Sequence, residues 1–113
     1  MKVSVFSKGN PISEGLREYF SNRANFALGR YLLHIHSLRA SLEDTSNPRD
    51  GLVQSCRVEI AGEFGKRFIV VHDRNFKSAI DCALSVSHRV VERALNRADS
   101  EMFAIESNHK LAS

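Results

Sequence analysis

The chain contains few cysteines, and they are not spaced as metal ligands usually are. Its 113 residues include only Cys56 and Cys82, whereas small disulfide-stabilised secreted domains carry about four to eight cysteines. That protein class is therefore excluded. We predict two buried free thiols in a reducing compartment, and the spacing alone leaves open a disulfide between them.

Long apolar runs are also missing. No segment approaches the roughly 18 consecutive apolar residues that indicate a membrane-spanning helix. Residues 1–6 alternate between apolar and polar side chains and lack the apolar core of a secretory signal. We therefore expect a cytoplasmic protein with no membrane partner.

Recognisable catalytic motifs are absent. The sequence has no G-x-S-x-G nucleophile turn, no phosphate-binding P-loop, no G-x-G-x-x-G fingerprint and no H-E-x-x-H zinc motif. His34 and His36 lie two residues apart, but no cysteine or third histidine lies nearby in the sequence. We predict no catalytic residues, no metal and no cofactor. An enzyme or metal protein that uses His34, His36 or His72 is the alternative.

The charge balance is mildly basic. Sixteen lysines and arginines face 13 acidic residues, which gives a net charge of +3 and a pI near 9.1. This excess permits a polyanionic partner such as nucleic acid, although histone-like proteins are far more basic. The length fits one domain with its own core.

The apolar pattern predicts strand, helix, three strands, helix. Alternation marks strands at residues 2–7, 35–42, 56–60 and 67–72, and helical spacing marks helices from Ser13 to about Gly29 and from Asn75 to about Arg97. Short links, at residues 44–51 and 62–65, make the last three strands an antiparallel meander. We predict a two-layer α+β domain, β-α-β-β-β-α, over residues 1–98, with a four-stranded sheet and both helices on one face. Residues 99–113 are predicted to be a flexible polar tail.

The second predicted helix carries Arg89, Arg93 and Arg97 at every fourth position. Like charges at this spacing repel by roughly 0.2–0.5 kcal/mol per pair, so a row without interleaved acids points to an external anion. The alternative is a solvated helix face whose cations meet the negative end of the helix dipole.

A polyanion is the remaining candidate ligand, because arginine guanidinium groups match phosphate oxygens two at a time. The outward strand residues Arg39 and Arg57 form a second basic set, and Arg67 either joins them or faces the helices. No RNP-type aromatic motif is present, so base stacking on the sheet is not expected. The predicted nucleic-acid-binding residues are Arg23, Arg30, Lys77, Arg89, Arg93 and Arg97.

Several segments resemble one known family. Residues 13–20, 27–31, 79–81 and 91–95, with the strand residues Ile35, Leu38, Ala40 and Leu42, are similar to the ribosome hibernation-promoting factor and ribosome-associated inhibitor family, also called sigma-54 modulation protein-like. The resemblance covers about residues 1–98. Within this family, the chain resembles a divergent short member.

This resemblance implies a fold similar to double-stranded RNA-binding domains. Family members bind the small ribosomal subunit in the channel used by mRNA and tRNA, block initiation and protect idle ribosomes. The resemblance therefore implies a non-enzymatic, stress-linked translation regulator. By position, Arg30, Arg89, Arg93 and Arg97 would contact ribosomal RNA phosphates.

A second hypothesis is a protein-interaction module that has kept the fold and no longer binds the ribosome. The basic residues of the second helix are fewer than in typical family members, and Asp99 and Glu101 follow them. An exposed sheet face or edge would then pair with another protein chain or, as a weak homodimer, with a second copy.

Overall fold

A computed structural model describes residues 1–8, 11–47 and 51–111. These residues form four strands, two α-helices and one 3-10 turn. In chain order the elements are β1 (Lys2–Lys8), α1 (Glu14–Leu28), the 3-10 turn (Gly29–Tyr31), β2 (Ile35–Asn47), β3 (Gly51–Gly62), β4 (Gly65–Asp73) and α2 (Phe76–Leu111).

The four strands form one mixed sheet in the order β1-β2-β3-β4. Strand β1 runs parallel to β2, whereas β2, β3 and β4 pair antiparallel through short connections. Parallel neighbours need a crossover, which α1 provides. The predicted α+β architecture and antiparallel meander are confirmed.

One core lies between the sheet and the helices. Alternate strand residues such as Leu38, Val58 and Ile60 are fully buried, and they form one cluster with Phe20 of α1 and Ile80 of α2. Side chains at the intervening strand positions point to the other face of the sheet. Both helices therefore cover the same face, as predicted, and the second face is open.

Both helices begin at the predicted caps. Ser13 Oγ accepts a hydrogen bond from the Leu16 amide at 3.2 Å, and Asn75 Oδ1 accepts one from the Ser78 amide at 2.8 Å. Helix α2 continues to Leu111, beyond the predicted end near Arg97, because residues 98–111 contain no glycine or proline to stop it. The division into a domain of residues 1–98 and a flexible tail of residues 99–113 stays a prediction. None of the helices formed by the described residues is long and apolar enough to span a membrane.

The connection between β2 and β3 is shorter than predicted. The strands stay paired as far as Asn47 and Gly51, and Gln54 Nε2 donates to Asp44 Oδ1 at 2.8 Å. Residues 44–47 were predicted to be part of the loop because they are turn-forming types, but they pair with β3 as a continuation of the hairpin. Residues 48–50 of the predicted loop, and residues 9–10 of a predicted turn after β1, lie outside the described residues.

The connection between β3 and β4 is the predicted tight hairpin. Gly62 and Gly65 pair across the turn, and Gly65 has a φ of 92°. This left-handed conformation favours glycine, which has no Cβ to clash with the backbone. The short turn fixes the register of the whole hairpin.

The two cysteines occupy different environments. Both thiols are free, but Cys56 is buried and Cys82 is exposed. The predicted burial of Cys82 is wrong, because its position on α2 is turned by about 200° from that of the buried Ile80. Burial raises the pKa of the Cys56 thiol to about 12, since it disfavours the charged thiolate.

Candidate nucleic-acid interface

The side chain of Arg67 lies on the helix-facing side of the sheet. The hairpin places Arg67 directly opposite the buried Ile60, and directly opposed residues share a face. The Arg67 Nη1 donates to the carbonyl oxygens of Phe64 at 3.1 Å and Lys66 at 3.0 Å. Its guanidinium also lies 5.8 Å from the centroid of the Phe64 ring. The hairpin therefore fixes the position of this charge. Of the two positions that the sequence left open for Arg67, the structure shows the one that faces the helices.

Arg67 and one stripe of α2 enclose a cleft of about 380 Å³. The stripe consists of Val90, Arg93, Ala94 and Arg97, which recur at the three- and four-residue spacing of one helix face. We call this site the Arg67 cleft. It combines three guanidinium groups with the apolar side chains of Val90 and Ala94.

The electrostatics of the Arg67 cleft favour an anion. Among the described residues, no carboxylate forms an ion pair with Arg67 or Arg93. Two converging cations without an acidic partner repel each other until an anion lies between them. The forked donors of arginine match the oxygens of a phosphate group.

Arg89 and Arg30 are exposed but do not line this cleft. Arg89 is turned by about 40° around the helix axis from Arg93, on the side away from Arg97. Arg30 lies in the 3-10 turn beside Tyr31, whose hydroxyl lies 3.4 Å from the Glu92 Oε2. This contact places Arg30 at the same end of the helical layer as Arg89 and Arg93.

Arg23 and Lys77 lie near the other end of the helical layer. Arg23 Nε donates to Asp81 Oδ1 at 3.1 Å, and the Tyr19 hydroxyl donates to the same carboxylate at 2.8 Å. This hydrogen bond raises the pKa of Tyr19, because ionisation would remove the proton that the phenol donates to Asp81. Lys77 Nζ lies 5.4 Å from the centroid of the Tyr19 ring. These contacts join α1 to α2, and Asp81 compensates the charge of Arg23.

The open sheet face carries two exposed aromatic rings that the sequence pattern did not predict. Phe6 and Phe68 point outward, with the guanidinium of Arg39 5.2 Å from the Phe6 centroid and that of Arg57 5.7 Å from the Phe68 centroid. The outward positions of Arg39 and Arg57 are confirmed. Alternation within β1 and the register of β4 are the sequence signals that could have located both rings.

The described residues contain no group of three or more His, Cys, Asp or Glu side chains that could hold a metal ion. His34 Nδ1 lies in hydrogen-bond contact with Glu63 Oε1 of the β3–β4 turn. His34 thus has a structural partner.

Comparisons with known proteins identify the fold. A ribosomal subunit interface protein from Coxiella burnetii superposes with a TM-score of 0.70 at 12% identity, over 82% of this chain and 96% of that chain. The chain has the fold of a ribosomal subunit interface protein. The N-terminal domain of Protein Y from Thermus thermophilus superposes with a TM-score of 0.64 at 17% identity, over 82% of this chain and 98% of that chain. The resemblance found in the sequence is thereby confirmed at the level of the fold. No family model and no curated protein matches the sequence.

Proposed function

We propose that this chain is a non-enzymatic, ribosome-associated regulator. It binds the small ribosomal subunit through ribosomal RNA phosphates, and it inhibits translation or stabilises idle ribosomes under stress. The observation that carries this proposal is the Arg67 cleft, where Arg93 and Arg97 of α2 meet a third arginine from the sheet. The shared fold with a ribosomal subunit interface protein supports it. A ribosomal partner implies that the protein acts in the cytoplasm.

The cleft suits an RNA backbone better than a small inorganic anion. Its volume of about 380 Å³ exceeds that of one phosphate group, and its floor is the apolar surface of Val90 and Ala94. A ribose can pack on such a floor while the adjoining phosphates bind the guanidinium groups. Backbone contacts of this kind set position and affinity without specifying a base sequence.

The other predicted residues extend the interface unequally. Arg30 and Arg89 are exposed at the same end of the helical layer, so they take the phosphates that flank the cleft. Arg23 and Lys77 contribute less, because Asp81 already compensates Arg23 and Lys77 lies over the ring of Tyr19.

Sedimentation with purified ribosomes tests this proposal. The wild-type protein should sediment with the small subunit, and the double variant Arg93→Gln/Arg97→Gln should bind at least tenfold more weakly. One charged hydrogen bond contributes about 1.5–3 kcal/mol, and about 1.4 kcal/mol is a factor of ten. In an in vitro translation assay, the Arg93→Gln/Arg97→Gln variant should also inhibit translation more weakly than the wild type.

The matched control is Arg17→Gln/Arg74→Gln. It removes the same charge from exposed residues near the beginnings of the two helices and should retain wild-type binding. Equally weakened binding in the two double variants would reject the Arg67 cleft as the site. If the wild type fails to sediment with ribosomes at low salt, the ribosome proposal is wrong.

The interaction-module hypothesis predicts a different result. Leu32 and Leu33, next to the 3-10 turn, are exposed apolar side chains that could contact another protein. This hypothesis requires concentration-dependent self-association, or a protein partner, that survives treatment with RNase. Analytical ultracentrifugation of the purified chain measures the former directly.

A further inference from the structure

The open sheet face is basic. Its outward positions carry five basic side chains, at Lys2, Lys8, Arg39, Arg57 and Lys66, against the two carboxylates of Glu43 and Glu59 among the described residues. This face lies on the opposite side of the sheet from the Arg67 cleft. Its charge is therefore separate from that of the proposed ribosome site.

Two exposed aromatic rings lie on this face. Phe6 is 48% exposed on β1, and Phe68 is 57% exposed on β4. Because β1 and β4 are the two edge strands, the rings are three strand spacings apart across the sheet. Phe68 is also two residues along β4 from the position in line with Phe6, so the two positions are about 16 Å apart. This separation spans about two or three nucleotides of extended single-stranded RNA.

A shallow groove extends from Phe68 to Arg39, whose guanidinium lies over the Phe6 ring. It has a volume of about 200 Å³ and is lined by Arg39, Ser41, Arg57, Glu59 and Phe68. The carboxylate of Glu59 lies 3.5 Å from Lys66 Nζ, so this ion pair compensates the negative charge inside the groove. Arg39 and Arg57 then dominate the potential between the two rings.

We propose that the open sheet face binds single-stranded RNA. Unpaired bases stack on Phe6 and Phe68, and Arg39 and Arg57 bind the phosphates between them. Exposed aromatic rings beside cationic side chains are the chemistry that recognises unpaired bases, because every base has a stacking surface. Bases in an RNA duplex are already stacked and cannot reach such rings.

The charge of the face disfavours a second copy as its occupant. A symmetric dimer through this face would bring the same basic surface of two chains together, and five cations against two carboxylates would repel. A polyanion removes this repulsion.

Fluorescence anisotropy with a labelled ten-nucleotide oligouridylate tests the proposal. The wild-type chain should bind the single strand at least tenfold more tightly than a duplex of equal length. The variant Phe6→Ala/Phe68→Ala should bind the single strand at least tenfold more weakly, since each base stacked on an aromatic ring increases the binding affinity by about fivefold or more. Circular dichroism should show an unchanged fold, because both rings are exposed.

Phe26→Ala is the matched control. Phe26 of α1 is 83% exposed and has the guanidinium of Arg23 5.6 Å from its ring centroid, but it lies on a helix. This variant should bind oligouridylate like the wild type. Unchanged affinity in the Phe6→Ala/Phe68→Ala variant, or an equal decrease in Phe26→Ala, would overturn the proposal. A third outcome would also overturn the proposal. In this outcome the wild-type chain binds no oligouridylate and forms a dimer, and the Phe6→Ala/Phe68→Ala variant is monomeric.

The outcome can be separated from that of the ribosome proposal. The Arg17→Gln/Arg74→Gln variant should retain oligouridylate binding, because neither residue lines the groove of the sheet face or the Arg67 cleft. Oligouridylate binding without ribosome sedimentation would contradict only the ribosome proposal. Ribosome sedimentation without oligouridylate binding would contradict only the sheet-face proposal.

Discussion

The two cysteines differ in reactivity because their surroundings differ. Cys56 is enclosed in the core, where burial raises its pKa to about 12, and Cys82 is exposed on α2. The thiolate is the form that attacks an alkylating reagent. Cys56 should therefore react slowly for two reasons: the reagent cannot reach the buried sulfur, and the thiol stays protonated at neutral pH.

Alkylation by iodoacetamide at pH 8 should therefore distinguish the two thiols. We expect one adduct per folded chain, located at Cys82 by mass spectrometry of peptides, and two adducts after unfolding in urea. The folded Cys82→Ser variant should take up no label on the same timescale. Rapid modification of Cys56 in the folded chain would contradict the burial that the structure shows.

Among the secondary-structure elements, the β3–β4 hairpin has the most demanding local geometry. A Cβ atom at Gly62 would collide with the backbone carbonyl oxygen of His34 and would lie 2.9 Å from the Phe64 ring. The same carbonyl accepts a hydrogen bond from the Glu63 amide at 3.3 Å. Gly62 thus allows the turn to pack against the segment that leads into β2.

Gly62→Ala should lower the free energy of unfolding by about 1–3 kcal/mol, because the backbone must shift to admit the methyl group. The control is Gly15→Ala in α1, where nothing lies within 4 Å of the added Cβ. That substitution should stabilise the protein by about 0.5–1 kcal/mol through helix propensity. Urea denaturation monitored by circular dichroism measures both changes, and a neutral Gly62→Ala would show that the turn relaxes freely.

The sequence predicted the elements well where local chemistry determines them. Ser13 and Asn75 are good cap residues, and both cap the predicted helices. The helix-facing side of β4 was not predictable from its own composition, because four consecutive apolar residues give no alternation. The register of the hairpin decides it, and that register depends on the turn between Gly62 and Gly65. The third arginine of the cleft was therefore visible only after the strands were paired.

For the molecule as a whole, a modest net charge of +3 conceals two separate basic surfaces. One is the Arg67 cleft on the helical side, and the other is the open sheet face around Arg39 and Arg57. The sequence pattern placed Arg93 and Arg97 at helical spacing in one row and placed Arg39 and Arg57 on the outward side of their strands. It did not predict the exposed aromatic pair, because Phe6 and Phe68 lie on the two opposite edge strands of the sheet and match no local motif.

Ribosome binding should weaken as salt rises, because binding to phosphates releases counterions. The slope of log affinity against log salt should become shallower by about 0.7–0.9 for each phosphate that the Arg93→Gln/Arg97→Gln variant no longer neutralises. Sedimentation at a series of potassium chloride concentrations measures this slope. The Arg17→Gln/Arg74→Gln control should keep the wild-type slope, and an identical slope in the cleft variant would rule out phosphate binding by Arg93 and Arg97.

The parallel pairing of β1 with β2 also bears on the order in which the chain folds. Strands β2, β3 and β4 are joined by short connections, so their pairing closes small loops at a low cost in chain entropy. Strand β1 can add to this meander only after α1 has carried the chain across the sheet, and such non-local pairing forms slowly. We therefore expect β1, the first of the four strands to be synthesised, to be the last to join the sheet. On this expectation, Phe6 and one edge of the open sheet face reach their final positions in the last folding step.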